Sequence, residues 1–258
     1  MQDHRRLIQE RFGKQAAAYA GSHKLQKASF FEALMEDAAP SARDRALDVA
    51  CGPGRLALLL ARRAGLVVGL DLTPEMIGLA EAARQKEGLH NVIFMTGDGQ
   101  ALSFPDGAFD LVCTTASFHH FPDPRPILAE MVRVTRPGGR VAVADWVSDP
   151  DPARAERHNA IERLRDPSHV HMFAVDRLQE ILEAAGLRVL SWSAGELERE
   201  LGEWLAIAGA SPQVGAKVRQ ALLDTVPGNS AGMDVREAGG RVCFTHRWAV
   251  GVAGRPQT

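Results

Sequence analysis

Little in this chain marks it as secreted, membrane-spanning or nucleic-acid-binding. Its 258 residues hold three cysteines, one tyrosine and 6% aromatic residues. Cys51, Cys113 and Cys243 are odd in number, widely spaced and set in apolar strand or turn contexts. No disulfide framework is expected from them; they read as reduced core thiols of a cytoplasmic protein. No apolar run approaches the roughly 20 residues that cross a bilayer, and the N-terminus lacks the apolar centre of a signal peptide. A formal net charge of −2 gives no electrostatic case for nucleic acid or an anionic membrane. The run His4-Arg5-Arg6, among Asp3, Glu10, Leu7, Ile8 and Phe12, reads as the solvated face of an amphipathic helix. Internal repeats and low-complexity tracts are absent. What remains is one large α/β domain whose 45% apolar content is ample for a core.

From Arg45 to about Val147, apolar runs of strand length alternate with helical patterns, as a parallel sheet with crossover helices requires. The strands are expected at 46–50, 67–70, 92–96, 111–115 and 141–146. Between them 56–64, 74–87 and 126–135 carry apolar residues at helical spacing. Thr73-Pro74 is a helix start, with the hydroxyl capping and proline in the first turn. Some forty helical residues precede this block, with Phe12, Tyr19 and Leu25 on apolar positions. After it, 153–168 and 176–185 read as helices, 187–192 as a strand, 196–226 as helix and 241–252 as a last strand. The expected organisation is a helical cover over residues 1–40, a ligand-binding core over 41–150, and a C-terminal part of the sheet with helical insertions over 151–258.

The chemistry starts at Ala46-Leu-Asp-Val-Ala-Cys-Gly-Pro-Gly54. A buried strand here runs into a glycine turn and a helix, and a second strand ends at Asp71. Glycines at 52 and 54 let backbone approach a ligand closely, and a carboxylate ending the next strand can accept from two ribose hydroxyls. The segment Gly52-Pro-Gly-Arg-Leu-Ala57 fits a dinucleotide fingerprint, which keeps NAD as a rival ligand. Asp48 points elsewhere, because a carboxylate beside the turn suits an ammonium group. Asp98, ending the third strand, can accept from an exocyclic amine. The lone tyrosine, Tyr19, has no lysine four residues on, so the usual dehydrogenase pair is missing.

Asp48-Val-Ala-Cys-Gly-Pro-Gly54, Gly69-Leu-Asp-Leu-Thr-Pro-Glu-Met76, Gly97-Asp-Gly-Gln-Ala-Leu-Ser-Phe-Pro-Asp106, Phe109-Asp110 and Arg136-Pro-Gly-Gly139 together resemble the ordered motifs of class I S-adenosylmethionine-dependent methyltransferases. The nearest flavour is the branch with the ubiquinone/menaquinone C-methyltransferases and many small-molecule enzymes. The resemblance implies an α/β fold: a doubly wound, Rossmann-like, seven-stranded sheet with helices on both faces and a helical substrate lid. It also implies S-adenosylmethionine as cofactor and methyl transfer to carbon or oxygen of a small, aromatic or quinone-like acceptor. The alternatives are an NAD(P)-dependent oxidoreductase and a non-catalytic S-adenosylmethionine-binding protein. Carried over by position, Asp48, Ala50, Cys51, Gly52 and Gly54 take the methionine end of the cofactor. Asp71 takes the ribose, Asp98 and Gly99 the adenine edge, and Thr115 and Ala116 the sulfonium side. Tyr19 closes over the cofactor, and Leu72 and Met76 either flank adenine or simply pack in the core. The expected partner is a small-molecule substrate, with neither nucleic acid nor membrane, and with room for a homodimer.

A base is needed only if the acceptor starts protonated. The segment Phe118-His-His-Phe-Pro-Asp123, directly after the fourth strand, offers His119 facing the substrate and His120 turned inward, with a purely structural pair as the alternative. His169 and His171 form a His-x-His pair near Asp166 but lack a third ligand at metal spacing, so no metal is expected. Trp192, Trp204, Met172 and Phe173 are candidates for apolar lid lining. Arg154, Arg157, Arg163 and Arg165 read as a solvated charged face or as partners for an acceptor carboxylate.

Overall fold

The computed structural model describes residues 2–21 and 29–257, and in the first stretch the side chains of residues 3–16. Tyr19 therefore lies outside the described side chains. Two helices open the chain, α1 (Gln2–Gly21) and α2 (Ser29–Asp37). The alternating block follows: β1 (Arg45–Val49), α3 (Arg55–Ala61), β2 (Leu66–Asp71), α4 (Pro74–Glu87), β3 (Val92–Thr96), β4 (Phe109–Thr115), α5 (Arg125–Val134) and β5 (Thr135–Val147). Then come α6 (Pro152–Arg165), α7 (Val175–Ala184), β6 (Arg188–Glu200), α8 (Leu201–Ile207), α9 (Pro212–Leu223), β7 (Arg236–Ala238) and β8 (Arg241–Gly254).

The sheet runs β3-β2-β1-β4-β5-β8-β6, with the short β7 hairpinned onto β8 as an eighth strand. The first five strands are parallel, and β8 lies antiparallel between β5 and β6. The chain turns outward from β1 in both directions, so the carboxyl ends of β1 and β4 open a crevice at the switch point. Alternation along the strands builds two cores. Ala46, Val67, Leu111 and Ala142 face α2 and α3, while Leu47, Val68, Val112 and Val141 face α5 and α7. A third cluster, from Ile161, Leu201, Trp204, Val218, Leu222, Met233 and Phe244, forms the interior of the C-terminal elaboration.

Two local expectations are corrected. Residues 196–200 are the end of β6 rather than helix. Glu-Leu-Glu-Arg-Glu favours helix by propensity, but it pairs in register with Arg247 to Cys243 of β8, and that pairing outweighs a weak local preference. Thr73 does not cap α4 with its hydroxyl; the start rests on Pro74 in the first turn, and the helix ends at Gly88 in the left-handed region.

Candidate functional site

A cleft open to solvent lies at the carboxyl edge of β1 to β4. Ala50, Cys51, Gly52, Asp71, Leu72, Met76, Asp98, Gly99, Thr115 and Ala116 all line it. Three backbone positions at its floor are left-handed: Ala50 (φ 57°), Gly52 (φ 52°) and Ala116 (φ 48°). Non-glycine residues hold that conformation only when their surroundings impose it, and such strain gathers at ligand sites. Cys51 N donates to Leu70 O at 3.0 Å and Ala116 N to Ala144 O at 2.8 Å, which fixes both turns to the sheet.

Asp71 ends β2 with its carboxylate wrapped in backbone donors. Gly52 N reaches Oδ2 at 2.8 Å and Thr73 N reaches Oδ1 at 2.8 Å. Burial nevertheless raises its pKa, outweighing those bonds. Asp48 does not reach the cleft surface. It is fully buried beneath the glycine turn, where Oδ2 accepts from Ala57 N at 3.1 Å and Oδ1 has no partner among the described residues. Its carboxyl is pushed well above the usual range by burial. Gly54 is likewise absent from the lining. Its φ of 84° starts α3, and a Cβ there would stand 2.8 Å from both Ala80 Cβ and Phe94 Cζ, so glycine here serves close packing.

The roof comes from α1, inside the stretch expected to form a helical cover, but through residues that sequence reasoning did not name for the site. His4, Arg5, Ile8 and Phe12 all line the cleft from above. Arg5 is only partly solvated: Nη1 pairs with Asp98 Oδ2 at 2.9 Å and Nη2 donates to Gln100. His4 Nε2 bonds His120 O at 2.8 Å, and Gln9 Nε2 donates to Leu72 O at 3.0 Å. Phe30 and Phe31 of α2 close one side.

The histidine pair is divided between two cavities. Both rings are buried in a short 3-10 turn after β4, but His120 lines the cleft, while His119 turns away from it toward β5. There His119 Nδ1 lies 2.5 Å from Asp145 Oδ1, and Asp145 also accepts from His119 N at 3.2 Å and Trp146 N at 2.7 Å. Burial alone would lower the His119 pKa, but the Asp145 carboxylate more than offsets it and the net shift is upward. His120, with Nδ1 3.0 Å from Ser168 O, is pushed down to about 4 by burial and by its neighbour.

His119 faces a second cavity, which shares Phe12 and His120 with the cleft and whose other lining residues include Gln15, Trp146, Glu162, Arg165, His169, Met172, Trp204 and His246. Of the expected lid residues, Met172 and Trp204 reach this cavity, whereas Phe173 and Trp192 pack on the sheet face beside α7. The His-x-His pair converges on an amide: His169 Nε2 lies 2.8 Å from Asn159 Oδ1, and His171 Nδ1 lies 3.3 Å from Asn159 Nδ2. Burial drives His169 down to about 2. Arg165 is not solvated; it stacks over Trp204 at 4.5 Å and pairs with Glu162 at 3.1 Å. Arg154 and Arg163 pair with Asp149 and Glu156, and Arg157 is exposed.

Residues 47–143 match the family model of a methyltransferase domain. The chain is 30% identical over 198 residues to the uncharacterized methyltransferase YcgJ of Bacillus subtilis, covering 77% of this chain and 78% of that one. The crystal structure of that Bacillus protein superposes with a TM-score of 0.83 at 25% identity, over 88% of this chain and 98% of its own. A demethylmenaquinone methyltransferase of Thermus thermophilus is 44% identical over 108 residues, 41% of this chain and 49% of that one. These likenesses set the dinucleotide reading aside. The chain belongs to the class I S-adenosylmethionine-dependent methyltransferases, and S-adenosylmethionine is its cofactor.

Proposed function

We propose that the protein methylates carbon or oxygen of a small aromatic or quinone-like acceptor, with His119 as general base. When bound, S-adenosylmethionine supplies an electrophilic methyl on a positively charged sulfur. The cleft fits that cofactor by its donor set. Each Asp71 oxygen accepts one backbone N–H and keeps acceptor capacity for a ribose hydroxyl. The unpartnered Asp48 Oδ1 beneath the turn can serve an ammonium group through water. Asp98 and Gly99 serve the adenine edge, Leu72 and Met76 its faces, and Ala50, Cys51 and Gly52 the methionine end. Thr115 and Ala116 take the sulfonium side, where Thr114 Oγ1 braces the loop by donating to Val49 O at 2.7 Å.

The observation that carries the acceptor reading is the buried His119–Asp145 pair in a cavity that shares the Phe12 and His120 walls with the cleft. With Nδ1–H donated to Asp145, His119 Nε2 is the nitrogen left to take a proton. Phe12, Trp146 and Trp204 give the cavity that His119 faces an aromatic lining suited to a flat acceptor. Aligning the acceptor and excluding water carries most of the rate in such a displacement. The likeness to a demethylmenaquinone methyltransferase supports the acceptor class.

The test is calorimetric titration with S-adenosylmethionine, with NAD as control, followed by mass spectrometry on a panel of phenols, reduced quinones, amines and thiols. Methylation of phenols or reduced quinones is expected. One-site cofactor binding with methylation confined to amines or thiols would overturn the acceptor reading.

A further inference from the structure

We propose that His158, Glu162 and His246 form a binding site for one divalent ion of the zinc class, in the wall of the second cavity. His158 and Glu162 stand one turn apart on α6, a spacing that puts both side chains on one helix face, and His246 comes from β8. Both imidazoles approach the same carboxylate oxygen. His246 Nε2 lies 3.1 Å and His158 Nε2 3.9 Å from Glu162 Oε1, and the three donor atoms all fall within 4.8 Å of one another. Each residue is 3% exposed.

A hydrogen-bonded triad explains this cluster only in part. It sets His246 Nε2 3.1 Å from Glu162 Oε1, but both this atom and His158 Nε2, fully buried, are without a well-formed hydrogen bond among the described residues. Native interiors rarely leave a polar atom so. A cation between the three donors satisfies both, and two histidines with one carboxylate are a common ligand set for zinc. A tetrahedral ion about 2.0–2.1 Å from its ligands spaces them roughly 3.3 Å apart, so the donors need to close by no more than about 1.5 Å. Arg165 holds the other carboxylate oxygen, Oε2, at 3.1 Å and so keeps Oε1 turned toward the imidazoles, as partners behind a ligand do in metal sites. Glu162 and His246 also line the cavity, which leaves a fourth position for water or a ligand atom. The Arg165 charge limits affinity, so a micromolar site is expected rather than a permanent structural one. This proposal does not depend on the nature of the methyl acceptor.

The experiment uses the full chain after treatment with a chelator, titrated with Co2+ while visible d–d absorption is recorded, then with Zn2+ in competition. Saturation at one equivalent and displacement by Zn2+ are expected. His158→Gln and His246→Gln should each weaken Co2+ binding at least about tenfold, with S-adenosylmethionine affinity unchanged as the sign of an intact fold. A rise in Tm of the unaltered chain with one equivalent of Zn2+ reads the same site if the variants fold poorly. Absence of a saturable Co2+ spectrum, or equal binding by folded variants, would overturn the proposal and place any bound metal on exposed histidines such as His90.

Discussion

His169→Gln gives a direct test of the buried histidine cluster, because its effect can be worked out from one number. The folded chain holds His169 at about 2, against 6.5 for an unburied imidazole. Burial causes the shift, with His119 and His120 adding to it and Glu162 opposing it. The sign follows. Below pH 6.5 the unfolded chain takes up a proton at this position and the folded chain does not, so acid removes stability and the loss continues toward pH 2. Integrated from about pH 7.5 to pH 5, the loss is about 2 kcal/mol, and any folded value below about 4 gives nearly the same figure. Glutamine keeps an amide donor for Asn159 Oδ1 but cannot titrate. Urea melts of both proteins across that range should therefore converge: the unaltered chain falls by about 2 kcal/mol relative to the variant. Curves that stay parallel would mean that the His169 ring is protonated or hydrated in the folded state, and a buried neutral His169 would be refuted.

Asp71→Asn should weaken S-adenosylmethionine binding by about 1–3 kcal/mol, since one charge-assisted acceptor becomes a donor facing a backbone N–H; calorimetry reads this, and an unchanged Kd removes Asp71 from the ribose site. His119→Gln should lower kcat/KM by roughly 10²–10⁴ with cofactor affinity intact. In the unaltered enzyme the rate should climb with pH through a value above 6.5, because Asp145 raises the His119 pKa and only the neutral ring accepts a proton. A pH profile shared by the two proteins would leave His119 a structural role. Trp204→Ala should cost about 3–5 kcal/mol of local stability, since Trp204 is fully buried against Phe244 and Arg165. Hydrogen exchange should rise in α8 and α9 while β1 to β5 stay protected.

The sheet and the cleft floor were legible because their signals are local. Parallel strands buried on both faces read as short apolar runs, and the glycine turn, Asp71 and Asp98 each sit within a few residues of a strand end. The misreadings arise where distant residues decide. Arg5 looks like a surface charge until the fold brings Asp98 and Gln100 beneath it. Gly54 belongs to a ligand motif, yet its own neighbours are Ala80 and Phe94. Adjacent residues in a 3-10 turn point apart, so the chain order of His119 and His120 carries no information about which one meets the cleft. His246 joins His158 and Glu162 only through the pairing of β8 with β5 and β6.

Helix α1 ties the cofactor cleft to the C-terminal elaboration, and this predicts coupling between them. Near its start, Arg5 and Gln9 hold Asp98 and Leu72 O at the cleft rim. One turn and more beyond, the Phe12 ring packs edge-on against His120 at 5.0 Å and Arg11 lies 3.6 Å from Asp166. Gln15 Nε2 then donates to Ala208 O at 3.0 Å, behind α8. A ligand that draws α1 onto the cleft therefore also presses it onto the elements around the second cavity. Gln15→Ala removes the last of these ties without touching the cleft, and leaves the buried Ala208 carbonyl without this bond, a loss of about 0.5–1.5 kcal/mol for a neutral hydrogen bond. Hydrogen exchange around residues 201–210 should slow when S-adenosylmethionine binds the unaltered chain, and that protection should shrink in Gln15→Ala while cofactor affinity changes little. Equal protection in both proteins would show that α1 roofs the cleft alone, and the link between cofactor binding and the acceptor side would have to run through the turn at His119 and His120.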